Sequence, residues 1–221
     1  MNHDEVTESM DLSDADVVSR VLQGEKNLYA VIVRRYNQRL YRIGMSFLND
    51  EQEVEDAMQV AYIHAYEGLS KFAFRASFST WLSRILINEI LLRKKKKSRN
   101  LLFVSENWEN KSPYQSYSEM QTPATTMINT ELKSILEGAI RNLPEKYRTV
   151  FVMREIENMN VEETRECLAI SGINVKVRLN RAKAMLRKSL QHYYRNEDIL
   201  HFHLTHCNRM VEAVLSRVNQ F

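Results

Sequence analysis

Glycine and proline are scarce, with five and three in 221 residues. An all-β domain needs turn formers at intervals of about 8–12 residues, so that architecture is excluded and helices are favoured. Strand-like alternation of apolar and polar residues is nowhere sustained, and the chain reads as all-α. Cysteine is limited to Cys167 and Cys207, which have no CxxC spacing. A disulfide scaffold and a zinc knuckle are therefore not expected. No apolar run approaches the ~18 residues needed to cross a bilayer. The first 20 residues are acidic and polar, unlike a secretory signal. These features predict a cytoplasmic protein without membrane insertion. The motifs HExxH, GxxxxGK[ST] and GxSxG are missing, and no catalytic residue, cofactor or metal is expected.

One absence is local. From Ile173 to Arg195 there is no Asp or Glu, but there are seven Lys or Arg. A helix of that kind suits a polyanion. The formal net charge of the whole chain is only +3, and it is unevenly spread. Residues 1–69 hold six Lys or Arg against thirteen Asp or Glu, while residues 71–99 hold nine against one. An acidic face beside a basic one implies two different partners.

Residues 1–98 read as a first helical domain. Ser13 caps a helix start, with Asp16 at its third position and Leu12 able to staple against Val17. A helix from about Asn27 to Leu48 follows, with Leu28, Ile32, Tyr36, Leu40, Ile43 and Phe47 on one stripe. Asp50 caps the next helix, with Glu53 three residues on. Its apolar face is Val54, Ala57, Met58, Ala61, Ala65 and Leu69, and its other face carries Glu51, Glu55, Asp56 and Gln59. After a broken aromatic stretch, Ser79-Thr80 opens a helix that runs into Arg93–Lys97. Residues 99–127 are a long polar linker of the kind that is functional or disordered.

Residues 128–195 read as a second domain. One helix covers Glu131–Ile140, and another opens at Pro144 and ends near Asn158. Asn160, with Glu163 at its third position, caps a short helix ending near Leu168. Ser171 then caps the basic helix, which runs to about Tyr194. A short helix, a tight turn and a basic helix form a helix-turn-helix. Val175, Leu179, Ala182 and Leu186 should pack inward. Asn174, Val177, Arg178 and Arg181 then face base edges. Lys176, Lys183, Arg187 and Lys188 suit phosphates, and the amides from Ser171 and Gly172 can add a phosphate contact. The bland alternative is a solvated amphipathic helix in a bundle.

Phe72, Phe74, Arg75, Phe78 and Trp81 precede the lysine run. Rings and a basic channel together hold unstacked bases. Trp81, spaced with Ile85, reads as core; Arg75, Ser77 and Asn88 are better suited to polar contact. The lysine run is equally compatible with a solvated helix end favoured by the helix dipole. Residues 196–221 form a C-terminal helical extension. His201, His203, His206 and Cys207 do not share one side of a helix, and their apolar neighbours point to packing rather than a metal.

Three stretches resemble the extracytoplasmic-function (ECF) group of the bacterial sigma-70 family. They are YNQRLYRIGMSFLNDEQEVEDAMQVAYIHAYEGLSKF (Tyr36–Phe72), FRASFSTWLSRILINEILLRKKKK (Phe74–Lys97) and LPEKYRTVF with VKVRLNRAKAMLRK in the second domain. The resemblance implies a sigma2-like and a sigma4-like domain joined by a flexible linker. It implies a transcription initiation factor that binds core RNA polymerase (β′ and β subunits), directs it to promoter DNA and assists opening. Asp50, Glu51, Glu55, Asp56 and Gln59 would dock on polymerase. Phe74, Arg75, Ser77, Phe78, Thr80, Asn88, Arg93, Lys94, Lys95, Lys96 and Lys97 would meet the minus-ten element and its single strand. Ser171, Gly172, Asn174, Lys176, Val177, Arg178, Arg181, Lys183, Arg187 and Lys188 would meet the minus-thirty-five duplex. An anti-sigma factor or another recruiting protein is a further implied partner. Arg165 stands where the family usually has a small Ala, and Gly172-Ile173-Asn174 replaces a commoner acidic-Gly-Thr start. A sigma-like factor brought to DNA mainly by another protein is therefore one alternative. A conventional helix-turn-helix regulator and a helical adaptor that does not bind DNA are others.

Overall fold

The computed structural model describes residues 12–103, 125–191 and 209–212, with side chains over 12–99, 132–191 and 209–212. The described elements are helical. They are α1 (Asp14–Leu22), a 3-10 turn (Lys26–Leu28), α2 (Tyr29–Phe47), α3 (Glu51–Gly68), a 3-10 turn (Leu69–Lys71) and α4 (Phe78–Phe103). Then come α5 (Thr125–Arg141), α6 (Glu145–Phe151) continuing as a π-helical turn (Val152–Ile156), α7 (Val161–Leu168) and α8 (Gly172–Leu190).

Caps set the starts. Ser13 Oγ accepts from the Asp16 amide at 3.2 Å, and Asp50 Oδ1 from the Glu53 amide at 3.0 Å. Asn160 and Glu163 form a reciprocal capping box at 2.9 and 2.7 Å. Ser171 Oγ accepts from the Asn174 amide at 3.2 Å. Each bond satisfies an amide that the helix itself leaves without a partner.

Some boundaries differ from the sequence reading. α4 opens at Phe78 because Ser77 Oγ accepts from the Thr80 amide at 3.2 Å, earlier than a start at Ser79-Thr80. Pro144 is the cap of α6 rather than its first residue. The helix does not continue regularly to Asn158. The Glu157 amide donates to Val152 O and the Met159 amide to Met153 O, both at 2.9 Å. This widened turn carries Met153 and Met159 into the interior. Both ends of the 99–127 stretch are helical, since α4 runs on to Phe103 and α5 begins at Thr125. The rest of that stretch, and the tail apart from a helical turn at 209–212, lie outside the described residues.

Helices α1–α4 surround Ile32, Leu40, Ile43, Val54, Ala57, Ala61, Leu82, Leu86, Ile87 and Ile90, none of them exposed. Large buried side chains of this kind contribute about 1.5–3 kcal/mol each. Helices α2 and α3 cross at Gly44, where an added Cβ would lie 2.6 Å from Val54 Cγ1. Tyr29 donates to Tyr62 O at 2.7 Å, and Tyr62 to Asn37 Oδ1 at 3.0 Å, which locks the pair. Asp14 ties α1 down by accepting from the Tyr36 hydroxyl and the Arg35 guanidinium. The second unit has a smaller cluster of Ala139, Leu143, Tyr147, Ala182 and Leu186. The larger core does not stop at the unit boundary: Met153, Met159 and Cys167 belong to it.

Candidate nucleic-acid and polymerase interfaces

Helix α3 turns Val54, Ala57, Met58, Ala61, Tyr62 and Ala65 inward, which leaves the opposite side of its first half facing water. Asp50, Glu51, Glu55, Asp56 and Gln59 are all exposed, four carboxylates and an amide on one surface. A shallow groove between α2 and α3 runs along its edge, lined by Val33, Asn37, Tyr41, Glu55 and Gln59. Burial raises the Tyr41 phenol above its ordinary pKa, and the Glu51 carboxylate adds to the shift.

The aromatic segment is mostly its own core. Phe72 packs on Phe74, Phe78 and Trp81 with ring centroids 4.5, 5.3 and 4.8 Å apart, and Phe78 also meets Tyr36. Phe78 is buried and Trp81 half-buried, while Phe74 is 56% exposed. Phe74 also adopts φ 53°, an uncommon backbone state for a bulky residue. Arg75, Ser77 and Asn88 are exposed. Thr80 is buried, its hydroxyl held by Ser77 Oγ at 2.7 Å and donating to Glu163 Oε1 at 3.1 Å.

The lysine run is partly engaged. Arg93 donates to Glu89 Oε1 at 2.7 Å and to the Asp56 carbonyl at 3.0 Å. Lys94 pairs with Glu145, and Lys97 with Glu53 at 2.7 Å. The Glu53 carboxylate raises the Lys97 pKa. Lys95 and Lys96 are exposed.

In the helix-turn-helix, Ala169 takes the left-handed conformation (φ 52°) that lets the chain turn from α7 to α8. Val175, Ala182 and Leu186 are buried and Leu179 half-buried. That packing turns Asn174, Lys176, Val177, Arg181, Lys183, Arg187 and Lys188 outward with Ser171, while Gly172 and Arg178 are half-buried. Lys183 pairs with Glu155 at 2.9 Å, and Arg181 donates to the Tyr147 hydroxyl at 3.4 Å. Arg165 turns outward and pairs with Glu162 at 2.6 Å, so it leaves the helix crossing to Thr164 and Cys167. Ile173 is 75% exposed at the start of α8.

The structure joins residues that the sequence reading treated as separate. Ser77 and Thr80 meet Glu163, Arg42 meets Glu157 at 3.2 Å, and Arg148 Nε donates to Ser46 O at 2.8 Å. Lys71, Arg75, Arg84 and Arg165 line one open cleft between the units. Glu53, Glu145, Glu157, Glu163 and Arg148 were missed as partners, and no local pattern could have found them. Apart from Glu53, they act across separations of 51 to 115 residues. Among the described residues, no helix is long and apolar enough to cross a membrane.

Residues 32–100 match the family model for sigma-70 region 2, and residues 133–186 match the model for sigma-70 region 4. The chain is 32% identical to the ECF RNA polymerase sigma factor SigW of Bacillus subtilis, over 79% of this chain and 95% of that one. It is 28% identical to the ECF RNA polymerase sigma-E factor of Haemophilus influenzae, over 81% and 96%. The fold is similar to that of CnrH, solved in complex with the cytosolic domain of CnrY. The TM-score is 0.53 at 23% identity, covering 81% of this chain and 97% of that one. It is also similar to the sigma factor RpoE of Bartonella quintana, solved with the anti-sigma factor NepR (TM-score 0.54, 18% identity, 72% and 94% covered). Two sigma regions in order, and a relative 32% identical over most of both chains, make this chain a member of the ECF group of the sigma-70 family, a non-enzymatic factor that binds RNA polymerase and directs transcription.

Proposed function

We propose that the chain docks on core RNA polymerase through α3, contacts the minus-ten element through the Phe74–Lys97 segment and helps open it, and reads the minus-thirty-five duplex through α8. The supporting observation is the separation of the two charged surfaces. The carboxylates of α3 stand in water, whereas α8 presents a row of cations with no acid between them. Complementary charge steers such surfaces to different partners. Asp50, Glu51, Glu55, Asp56 and Gln59 are the docking set on the β′ subunit. Phe74, Arg75, Ser77, Asn88 and the exposed lysines contact the opened strand. Phe78 and Thr80 act from behind, by fixing the loop that carries Phe74. On α8, Asn174, Val177, Arg178 and Arg181 meet bases, and Lys176, Lys183, Arg187 and Lys188 meet phosphates. Residues 1–98 and 128–195 are the two working domains, and 99–127 connects them across the polymerase.

The exposed Ile173 favours one further partner. An apolar side chain at the leading turn of a DNA-facing helix also suits a protein contact. An anti-sigma factor or a recruiting protein is the partner class, in keeping with the anti-sigma factor in the RpoE complex.

Reconstitution with purified core polymerase and a promoter library tests the reading. Wild type should form a holoenzyme and initiate at a selected promoter class. Asp56→Lys should keep its far-ultraviolet circular dichroism and lose core binding by tenfold or more, about 1.4 kcal/mol. A normally folded Asp56→Lys chain that binds core with wild-type affinity would overturn the docking assignment.

A further inference from the structure

We propose that the cleft between the two units is a binding site for a nucleoside polyphosphate. Such a ligand goes beyond the polymerase and promoter contacts proposed above and does not depend on them.

The cleft has a volume of about 890 Å³ and is open to solvent. Small-molecule sites fall at about 300–1,000 Å³, so the space suits a nucleotide. Its lining comes from two directions. The loop before α4 and the first turns of α4 form one wall, with Lys71, Arg75, Trp81 and Arg84. The end of α7, the turn after it and the start of α8 form the other, with Arg165, Glu166, Ile170 and Ser171.

Charge decides what the cleft would hold. Four cations line it against one carboxylate, Glu166. Arg165 is already neutralised, because its Nε and Nη2 each meet Glu162 at 2.6 Å. Lys71, Arg75 and Arg84 are exposed, and none of them meets a carboxylate among the described residues. The cations farther along α4 differ. Arg93, Lys94 and Lys97 each find an acid, in Glu89, Glu145 and Glu53. Three unmatched like charges around one hollow repel one another, and a polyanion placed among them relieves that repulsion.

Helix α8 adds to the field. Ser171 lines the cleft and caps this 19-residue helix, so the positive end of the helix lies at the rim. Ser171 Oγ takes the Asn174 amide at 3.2 Å, which leaves the Gly172 and Ile173 amides for an outside acceptor. Phosphate oxygens suit guanidinium and amide donors of this kind. Trp81 and Ile170, both half-buried, supply an apolar wall on which a planar base can lie. Three cations in separate positions match more than one phosphate, and the indole wall matches a ring. A nucleoside diphosphate or triphosphate carries both. Arg75 is the one cleft cation also assigned to the opened strand, so a DNA strand is the rival occupant.

Isothermal titration of the free full-length chain tests the site, with ATP, GTP, adenosine and inorganic tripolyphosphate as probes at physiological salt. ATP or GTP should bind one per chain. Adenosine alone should not bind. Tripolyphosphate should bind about tenfold more weakly than the better nucleotide, for want of the stacked ring. Arg84→Ala should weaken nucleotide binding by about tenfold, through the loss of a charged donor. Lys133→Ala removes an exposed cation of α5 outside the cleft and should change nothing. Glu166→Gln removes the one carboxylate of the lining and should tighten binding several-fold, a gain that misfolding cannot produce. No nucleotide binding, several nucleotides per chain, or an equal loss in Lys133→Ala would overturn the site, since the last two mean general attraction to cations. Tripolyphosphate bound as tightly as ATP would overturn the nucleoside part of the assignment. A single-stranded oligonucleotide is the final probe. If Arg84→Ala weakens the oligonucleotide and leaves ATP binding untouched, the cleft belongs to the strand and the nucleotide site is overturned.

Discussion

Gly44 shows how one residue sets an angle between helices. It is not needed for an unusual backbone conformation. It is needed because Val54 Cγ1 occupies the space a Cβ would take, at 2.6 Å. Gly44→Ala gains helix propensity but must push α2 from α3 or twist Val54 off its rotamer. Overpacking of this kind typically costs about 1–3 kcal/mol. The urea midpoint should fall accordingly, and Val54→Ala in the same chain should recover part of the loss, because contacting residues couple. Equal midpoints for wild type and Gly44→Ala would show that the crossing has room. On the proposed docking role the effect reaches function, because α3 carries the acidic face and its tilt sets the direction of Asp56 and Gln59. Ala169 makes the complementary case: there the backbone itself is left-handed, and the side chain is tolerated because it is small.

At the scale of the helix, α8 divides its outward residues by what they can touch. Arg178→Ala should change base preference in the upstream duplex, with a discrimination loss of about 1–3 kcal/mol at one position. Lys188→Ala should weaken binding to all sequences alike and lower the salt slope by about 1. Binding of holoenzyme to a randomised upstream element, at several salt concentrations, distinguishes them; unchanged preference for Arg178→Ala removes its base contact. Much at this scale was legible in the sequence. Caps are local, so Ser13, Asp50, Asn160 and Ser171 declared themselves, and apolar spacing gave the buried stripes of α2, α3 and α8. The π-helical turn was not legible. It exists because Met153 and Met159 both find room in the interior, and that room is provided by helices more than a hundred residues earlier. The family was legible because three motifs stand in order. The burial of Phe78 and Thr80 was not, because neighbours in space decide it.

For the whole molecule, the structure has a small second cluster beside a large core fed by both units. Sequence periodicity assigns each helix an apolar face but not the helix that will cover it. Lys94 on α4 and Glu145 on α6 pair across 51 residues, and Thr80 on α4 meets Glu163 on α7, contacts that leave no local trace in the sequence. A shared core has a measurable consequence. Met153 is fully buried on the second unit yet packs within the core of the first. Met153→Ala leaves a cavity and should cost about 2–5 kcal/mol. If the units fold as one, this loss lowers protection in both. Hydrogen exchange of the free chain should then speed up in α2 peptides as well as in α7 peptides. Faster exchange confined to α6 and α7 in the free chain would mean that region 2 is stable without its neighbour, and that the two units share a surface rather than a core.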